Sequence, residues 1–356
     1  MVQGTPGQTR PQKPCLLRES LHRVRKPRAF KRGLFRFGGI EPNPKIGTIK
    51  KAIELCRKEN IDFIVAVGGG SVIDATKCIA AGTFYEGDAW NLMYDSAKIG
   101  RTLPFFAVLT LAATGSEYDN SGVISNPDTD EKLFLAAPNL FPVASIMDPT
   151  YTFTVPARHT AAGAADIMSH TFEQYFVAEG NELTDGMCEA MLRTVIKYAP
   201  AALKNPEDYE ARAQLMMASS FGCCGILSIG RSASAWPCHG IEHEISAYTD
   251  ITHGAGLAVI TPRWMRHTLN EKTAPRFAQY GVRVWGLTQR PISWKRPARP
   301  LTARPNSLRR SDFLQGSPKW ALLTSTLKRW QSTCLNTGSR SRRPLRRLIK
   351  PLSSPF

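Results

Sequence analysis

The sequence predicts an α/β domain followed by an all-helical domain. Two nearly continuous apolar runs, residues 61–67 and 104–110, are typical of strands that are buried on both faces of a parallel sheet. The first run leads directly into the turn Gly68-Gly69-Gly70-Ser71, after which a helical period begins. From Ala157 to about Leu287 the chain is rich in Ala, Met and Leu at helical spacing. A length of 356 residues is sufficient for two domains of this kind.

The first domain is predicted to be organised from Phe37 onward. Asn43 is a favourable N-cap and Pro44 a favourable first helical residue, so we expect a helix to begin there. The strand at 61–67, the glycine turn, a helix and the strand at 104–110 follow in βαβ order, which indicates a doubly wound sheet. A hairpin and a last strand complete the prediction, at 123–125 with 132–136 and at 143–147.

Four residues of the second domain form a candidate metal site. Asp166 and His170 are four positions apart, so on a helix both side chains leave the same face. His239 and His253 lie in one short segment that also contains His243. Three imidazoles and one carboxylate suit a borderline divalent ion such as Fe(II) or Zn(II). The helical pair alone is weak evidence, but the clustering of the other three histidines within 15 residues strengthens it.

Two segments are candidates for binding a nucleotide cofactor. The turn at 68–71 opens a helix, whose N–H groups and dipole favour an anion such as pyrophosphate, although glycine turns also serve tight packing. Asp74 either holds this turn or faces the site. The segment 110–117 follows a strand end, where open α/β sheets bind ligands; alternatively, Thr114 or Ser116 caps a helix there. A glycine turn together with a His-rich metal site indicates a metal-assisted oxidoreductase.

The remaining composition indicates a globular protein in a reducing compartment. Eight cysteines occur without a C-x-x-C pair, which favours free thiols and a cytoplasmic location. We interpret Cys238 as a buried thiol, and His159, which has no partner at helical spacing, as a structural histidine. No apolar run is long enough to span a membrane, so we expect no membrane partner.

The segment from Phe37 to Leu287 closely resembles the iron-containing (group III) alcohol dehydrogenases. It looks most like their NADPH-dependent butanol dehydrogenase and aldehyde reductase branch. The resemblance implies a Rossmann-like, dehydroquinate synthase-like α/β N-terminal domain and an all-α C-terminal metal-binding domain, with both ends of this chain atypical. The motifs that carry the resemblance are FGGIEPNP, AVGGGSVIDATK, LTLAATGSE, DEKLF, IMDPTYTFTVPARHTAAGAADIMSHTFEQY and CHGIEHEISAYTDITHGAGLAV.

The resemblance also implies roles for single residues. It places His243 near the substrate and the nicotinamide, where the imidazole relays a proton or shapes the pocket. Lys132 would contact a ribose hydroxyl, although without the family a lysine on a hairpin would be interpreted as solvated. The matching metal ligands are Asp166, His170, His239 and His253; the matching cofactor contacts are Gly69, Gly70, Ser71 and Asp74 at the pyrophosphate, and Thr110, Thr114, Ser116 and Lys132 elsewhere.

The implied activity is hydride transfer between NADP(H), or NAD(H), and a primary alcohol or aldehyde such as butanol or butanal. Fe(II), or Zn(II), would occupy the metal site. An inactive metal-binding remnant of the family is the alternative, and a nucleic-acid-associated protein that acts through its basic ends is less favoured. We expect a small-molecule substrate and no nucleic acid partner, and the family implies a homodimer.

The net charge of +17 arises at the two ends of the chain. Residues 1–36 carry 10 Lys or Arg and residues 288–356 carry 16, each with a single acidic residue, whereas the part between them is acidic. We interpret both ends as basic segments that are unstructured or result from a reading-frame shift, and we favour the shift. Between them we predict an incomplete nucleotide-binding α/β domain at 37–155 and a truncated helical metal-binding domain at 156–287.

Overall fold

The computed structural model describes residues 14–18 and 34–287. Five parallel strands form one sheet in the described part of the chain, and two further strands form an antiparallel hairpin. The strands are β1 (Pro14–Arg18), β2 (Phe35–Gly38), β3 (Phe63–Gly68), β4 (Phe105–Leu109), β5 (Ser121–Asn126), β6 (Glu131–Ala136) and β7 (Ala144–Ile146). The sheet has the order β2-β1-β3-β4-β7, and β5 pairs with β6.

Helices cover the sheet and share its core. They are α1 (Ile46–Lys58), α2 (Gly70–Gly82) and the short α3 (Asn91–Tyr94). Ile49 of α1 and Ile73 of α2 are fully buried, as is Ile64 of β3, because the apolar spacing of each element directs these side chains inward. Short 3-10 segments occur at Ser96–Lys98, Ser116–Tyr118, Pro138–Leu140, Pro149–Thr152 and Ile226–Ser228.

A bundle of six helices follows in the described part of the chain. The helices are α4 (Ala157–Tyr175), α5 (Glu182–Lys204), α6 (Tyr209–Cys223), α7 (Pro237–Thr249), α8 (His253–Thr268) and α9 (Ala274–Trp285). Every residue from Thr160 to Tyr175 is buried, so α4 is the central helix of the bundle. Phe172, Tyr175 and Tyr280 fill the core on one side of α4. Polar residues on such a helix need partners, which is why α4 can carry a site.

This architecture confirms the predicted fold class, an α/β domain with a parallel sheet followed by a helical domain. In residues 14–18 and 34–287, no helix is long and apolar enough to cross a membrane. The predicted basic tail at 288–356 lies outside the described residues, as does most of the segment 1–36.

The beginning of the chain differs from the prediction at two points. We expected no regular structure in 1–36, but β1 lies there and pairs with β2 on one side and β3 on the other. Backbone hydrogen bonds to two neighbours stabilise such a strand, so it needs no long apolar pattern of its own. Asn43 is not an N-cap, because α1 begins at Ile46 after Lys45. Instead Asn43 adopts a left-handed φ of 50°.

Candidate active site

The four predicted metal ligands meet in the helical domain. Asp166 and His170 lie one turn apart on α4. His239 is in the first turn of α7, and His253 is the first residue of α8. The carboxylate oxygen Oδ1 of Asp166 is 3.6 Å from His170 Nδ1, 3.7 Å from His239 Nε2 and 3.7 Å from His253 Nε2.

Asp166, His170 and His239 have ligand atoms within 4.8 Å of one another, and Asp166 Oδ1 also lies near His253 Nε2, so the set suits a divalent ion. Asp166 Oδ1, His170 Nδ1 and His239 Nε2 are buried and lack a hydrogen-bond partner, which is costly unless a cation satisfies them. With metal–ligand bonds of about 2.1 Å, tetrahedral ligand atoms lie about 3.4 Å apart. The observed separations of 3.6 and 3.7 Å are close to that value. The donor set of imidazole and carboxylate suits Fe(II) or Zn(II).

Two glycines allow the helices to approach closely enough to bring these ligands together. A Cβ on Gly254 would lie 2.0 Å from the backbone oxygen of Ala162 on α4. A Cβ on Gly163 would lie 2.3 Å from the backbone oxygen of Ala112, in the loop after β4. The N-terminus of α8 therefore rests directly on α4, and α4 on the sheet domain.

The proposed ligands differ in their protonation. Burial favours a raised pKa for Asp166, but its three imidazole neighbours outweigh burial and hold this pKa well below its ordinary range. Burial lowers the pKa of His170 to about 3, so its imidazole is neutral near neutral pH. Burial also disfavours protonated His239, yet Asp166 and Glu173 raise its pKa to about 9. A cation must therefore displace a proton from His239.

Two carboxylates behind the ligands were missed by the sequence analysis. Glu173 accepts a hydrogen bond from Nδ1 of His239, and Glu242 accepts one from Nδ1 of His253. Each glutamate lies three residues after a histidine ligand, as His170-x-x-Glu173 and His239-x-x-Glu242. That spacing is a possible signal, but it does not identify the bonded histidine, which lies on another helix.

His243 lies beside the four ligands. Its ring centroid is 5.6 Å from that of His253 and 6.4 Å from that of His239. Burial, together with the neighbouring ammonium of Lys132, lowers the pKa of His243 to about 2. Glu242, His243 and His253 form a second group with ligand atoms within 4.8 Å of one another. We favour the site at Asp166, because Glu242 already accepts hydrogen bonds from His253 and Lys132.

Lys132 is buried in this structure, with 7% of its surface exposed. Its Nζ donates to Glu242 Oε2 at 3.1 Å, to Asn43 Oδ1 at 3.2 Å and to Ser246 Oγ at 3.1 Å. Three acceptors match the three N–H donors of the ammonium. The side chain is therefore not the solvated lysine expected from sequence alone, and the ribose contact implied by the family stays a prediction.

The glycine turn faces two of the proposed metal ligands, Asp166 and His253, across a groove between the domains, which we call the domain cleft. One wall is formed by Gly69, Gly70, Ser71 and Thr114, and the other by Asp166, His253 and His159. A Cβ on Gly70 would be 2.4 Å from Thr114 Oγ1, so the turn packs directly on the loop after β4. His159, which we interpreted as structural, is thus a cleft residue.

Besides Lys132, three predicted cofactor contacts are absent from the cleft wall. Asp74 accepts hydrogen bonds from the Ser116 hydroxyl at 2.5 Å and from the backbone N–H of Val123 at 3.0 Å. Ser116 is 1% exposed and also accepts from the ammonium of Lys77. The backbone N–H of Thr110 donates to the Gly68 carbonyl. In this structure these residues support the glycine turn from the side away from the cleft. This agrees with the interpretation that Asp74 holds the turn.

Comparisons with known proteins agree with this arrangement. Residues 20–149 match the family model described as iron-containing alcohol dehydrogenase, and residues 160–291 match the C-terminal model of the Fe-containing alcohol dehydrogenase family. The chain belongs to the iron-containing alcohol dehydrogenase family. This membership confirms the resemblance found in the sequence.

Individual members of the family show the extent of the match. NADH-dependent butanol dehydrogenase A of Clostridium acetobutylicum is 54% identical over 254 residues, 71% of this chain and 65% of the relative. NADPH-dependent aldehyde reductase YqhD of Escherichia coli is 38% identical, over 71% of this chain and 66% of the relative. The crystal structure of NADH-dependent butanol dehydrogenase A from Thermotoga maritima superimposes with a TM-score of 0.73 at 32% identity, over 88% of this chain and 71% of that one. The chain thus spans about two thirds of the length of the curated relatives it matches.

Proposed function

We propose that this chain is a metal-dependent alcohol dehydrogenase or aldehyde reductase. It would transfer a hydride between NAD(P)H and a primary alcohol or aldehyde such as butanol or butanal. One observation carries the proposal: the domain cleft has a glycine turn at a helix N-terminus on one wall and Asp166 and His253, two of the four proposed metal ligands, on the other. Membership of the family supports it.

Each wall of the cleft has its own part in the reaction. The turn at 69–71, at the N-terminus of α2, would bind the pyrophosphate through backbone N–H groups and the helix dipole. A bound Fe(II) or Zn(II) supplies a Lewis acid that polarises the substrate oxygen. Asp166 and the three histidine ligands would hold that ion, and binding substrate and cofactor in one cleft would bring the reacting groups together.

Proton transfer is the proposed task of His243. A bound reduced nicotinamide would supply the hydride for aldehyde reduction, and the new alcohol oxygen would also need a proton. With a pKa lowered to about 2, the imidazole is neutral and has one N–H and one lone pair, so it can pass a proton from solvent to that oxygen. The same position is also compatible with a purely pocket-shaping role.

The relatives indicate which nucleotide to test first. The members at 54% and 52% identity are named NADH-dependent butanol dehydrogenases, whereas the member named NADPH-dependent is 38% identical. We therefore propose NADH as the preferred reductant, with NADPH as the alternative. Butanal is the first substrate to assay because both relatives above half identity are named for butanol.

The proposal is tested by reconstituting the full chain with Fe(II) under anaerobic conditions and, separately, with Zn(II). Oxidation of NADH and of NADPH is then followed with butanal. His253→Ala is expected to abolish both stoichiometric metal and turnover, because it removes one of four ligands. His267→Ala is the matched control, since His267 lies on the same helix α8 but is exposed.

The outcomes separate the candidate functions. Turnover in the wild type and in His267→Ala, but not in His253→Ala, supports the dehydrogenase. Bound metal without turnover of either nucleotide supports an inactive remnant of the family. Stoichiometric metal retained by His253→Ala contradicts the ligand assignment itself. The homodimer and the cytoplasmic location stay predictions, and light scattering and cell fractionation test them.

A further inference from the structure

Two buried carboxylates lie behind the proposed metal ligands. Glu173 accepts from Nδ1 of His239 and Glu242 from Nδ1 of His253, and both glutamate side chains are 0% exposed. We propose that Glu173 and Glu242 are positioning residues that direct Nε2 of each imidazole towards the metal. We further propose that only Glu173 does so as an uncompensated negative charge. This inference rests on the metal site of the proposed function.

The hydrogen bonds determine which nitrogen can bind a cation. A carboxylate only accepts hydrogen bonds, so Nδ1 carries a proton and Nε2 is the nitrogen left to bind a cation, once any proton on it is displaced. In His239 and His253 it is Nε2 that lies 3.7 Å from Asp166 Oδ1. Both carboxylates therefore select the tautomer in which the lone pair points at the proposed ion.

Glu173 contacts His239 through one carboxylate oxygen and backbone N–H groups through the other. Its second oxygen, Oε1, accepts from the backbone N–H of Cys238 at 2.5 Å and from that of His239 at 3.4 Å. These are neutral donors in the first turn of α7. Within residues 34–287, no Lys or Arg forms an ion pair with Glu173. The full anionic charge is thus directed at one ligand, which makes His239 a stronger electron donor.

Glu242 is neutralised by a cation from the other domain. Lys132 Nζ on β6 is 3.1 Å from Glu242 Oε2 on α7, and the two side chains are 4% and 0% exposed. Because this ion pair has no net charge, Glu242 offers His253 an acceptor without adding a net anion to the site. The two outer carboxylates are therefore unequal in charge although they are alike in geometry.

The first test replaces Glu173 with Gln in the full chain. Co(II) chloride is titrated anaerobically, its visible d–d absorption reports the ligand field, and competition with a chelator gives the affinity. An amide has one acceptor oxygen where Glu173 uses two, so one hydrogen bond and the charge are lost together. We expect Co(II) affinity to fall by about 10- to 100-fold and the absorption bands to shift.

A matched control separates this effect from the loss of any buried carboxylate. Glu189 on α5 is also buried, but it accepts from the hydroxyl of Tyr175 and touches no proposed ligand. Glu189→Gln is expected to keep the Co(II) affinity and the absorption spectrum of the wild type, whatever its effect on folding stability.

The second test concerns the unequal charges. Glu242→Gln alone would leave the ammonium of Lys132 buried without a counter-charge, so the informative variant is Lys132→Met with Glu242→Gln. This pair of changes removes both charges, and the amide oxygen can still accept from Nδ1 of His253. We expect its Co(II) affinity and spectrum to stay close to those of the wild type.

The possible results are distinguishable. Equal Co(II) binding by the wild type and Glu173→Gln overturns this inference alone, whereas a wild type that binds no Co(II) overturns the proposed metal site with it. A loss in the double variant as large as in Glu173→Gln overturns the inequality of the carboxylates. If Glu173→Gln does not fold, ¹⁵N NMR of the Zn(II)-loaded wild type decides: Nδ1–H tautomers of His239 and His253 support the inference, and Nε2–H tautomers overturn it.

Discussion

Asp74 is a single buried carboxylate that supports the wall of the domain cleft formed by the glycine turn. Its hydrogen bonds join α2 to the loop after β4 through Ser116 and to β5 through the backbone of Val123. Burial raises the pKa of Asp74 to about 6, although the neighbouring ammonium of Lys77 lowers it. The carboxylate thus supports the glycine turn without contacting the cleft itself.

The raised pKa of Asp74 predicts a specific pH dependence of stability. Between the unfolded value of 3.8 and the folded value of about 6, the folded protein binds the Asp74 proton more tightly than the unfolded chain does. This contribution is therefore complete below pH 3.8 and is lost as the pH rises to about 6, a change of about 3 kcal/mol. Asp74→Asn removes the titration.

The measurement is the free energy of unfolding in urea for the wild type and Asp74→Asn at a series of pH values. The difference between the two proteins cancels the titration of all other groups. We expect the wild type to lose about 2 kcal/mol relative to the variant as the pH rises from 4 to 7, because part of the full change falls below pH 4. A difference that stays constant over that range would show that Asp74 titrates normally.

At the scale of elements, the contact between α4 and α8 brings the metal ligands together. His253 begins α8, and the next residue, Gly254, lies against the backbone of Ala162 on α4. Asp166 is one turn further along α4. The distance between the two helices therefore sets the distance between His253 and Asp166, and the glycine allows that distance to be short.

Gly254→Ala is expected to separate these two helices. The added Cβ would lie 2.0 Å from the Ala162 carbonyl oxygen, and backbone cannot rotate away as a side chain can. We expect a loss of about 1–3 kcal/mol in the free energy of unfolding and a drop in Zn(II) affinity of about tenfold or more.

Gly186→Ala on α5 is the control, because its Cβ would meet nothing within 4 Å. That variant should gain up to about 1 kcal/mol and keep its metal affinity, and a similar result for Gly254→Ala would show that the close approach is unimportant.

The elements also show what the sequence can and cannot predict. The pair Asp166 and His170 was predictable because both residues lie on one face of one helix, a local property. The bond from Glu173 to His239 joins α4 to α7, and no periodicity within either helix specifies such a contact. β1 was missed for a related reason, since its stability comes from pairing with two strands that are distant in sequence.

The same limit applies to Asn43 and Lys132. Asn43 followed by Pro44 is a residue pair typical of a helix N-terminus, but α1 begins at Ile46. The Asn43 side chain instead donates a hydrogen bond to the backbone of Ile251 in the helical domain. Lys132 on a hairpin has the composition of a solvated lysine, but three acceptors from other segments surround it. In both cases tertiary contacts override a correct local preference.

For the whole molecule, Asn43 is a main link between the two domains. Its amide Nδ2 donates to Asp250 Oδ1 and to the backbone oxygen of Ile251, both at 3.0 Å, and its Oδ1 accepts from Lys132. Lys45 forms a second link, an ion pair with Asp250 in which the two side chains are 20% and 59% exposed. The two links differ in burial, and their energies should differ accordingly.

We expect Asn43→Ala to cost about 2–3 kcal/mol in the free energy of unfolding. The change removes one of the two donors to the Ile251 carbonyl, which keeps the Ser246 hydroxyl, and leaves a buried Lys132 donor without its Asn43 acceptor. Alanine also tolerates the left-handed φ of 50° less well than asparagine does. Lys45→Ala, which removes only the exposed ion pair, should cost less than about 1 kcal/mol. Urea unfolding of both variants measures this contrast.

Because Asn43 also lines the domain cleft, its loss should weaken NADH binding as well, which calorimetry on the metal-loaded protein can follow. Equal, small losses of stability for the two variants would mean that the hairpin and Lys132, rather than Asn43, hold the two walls of the cleft together.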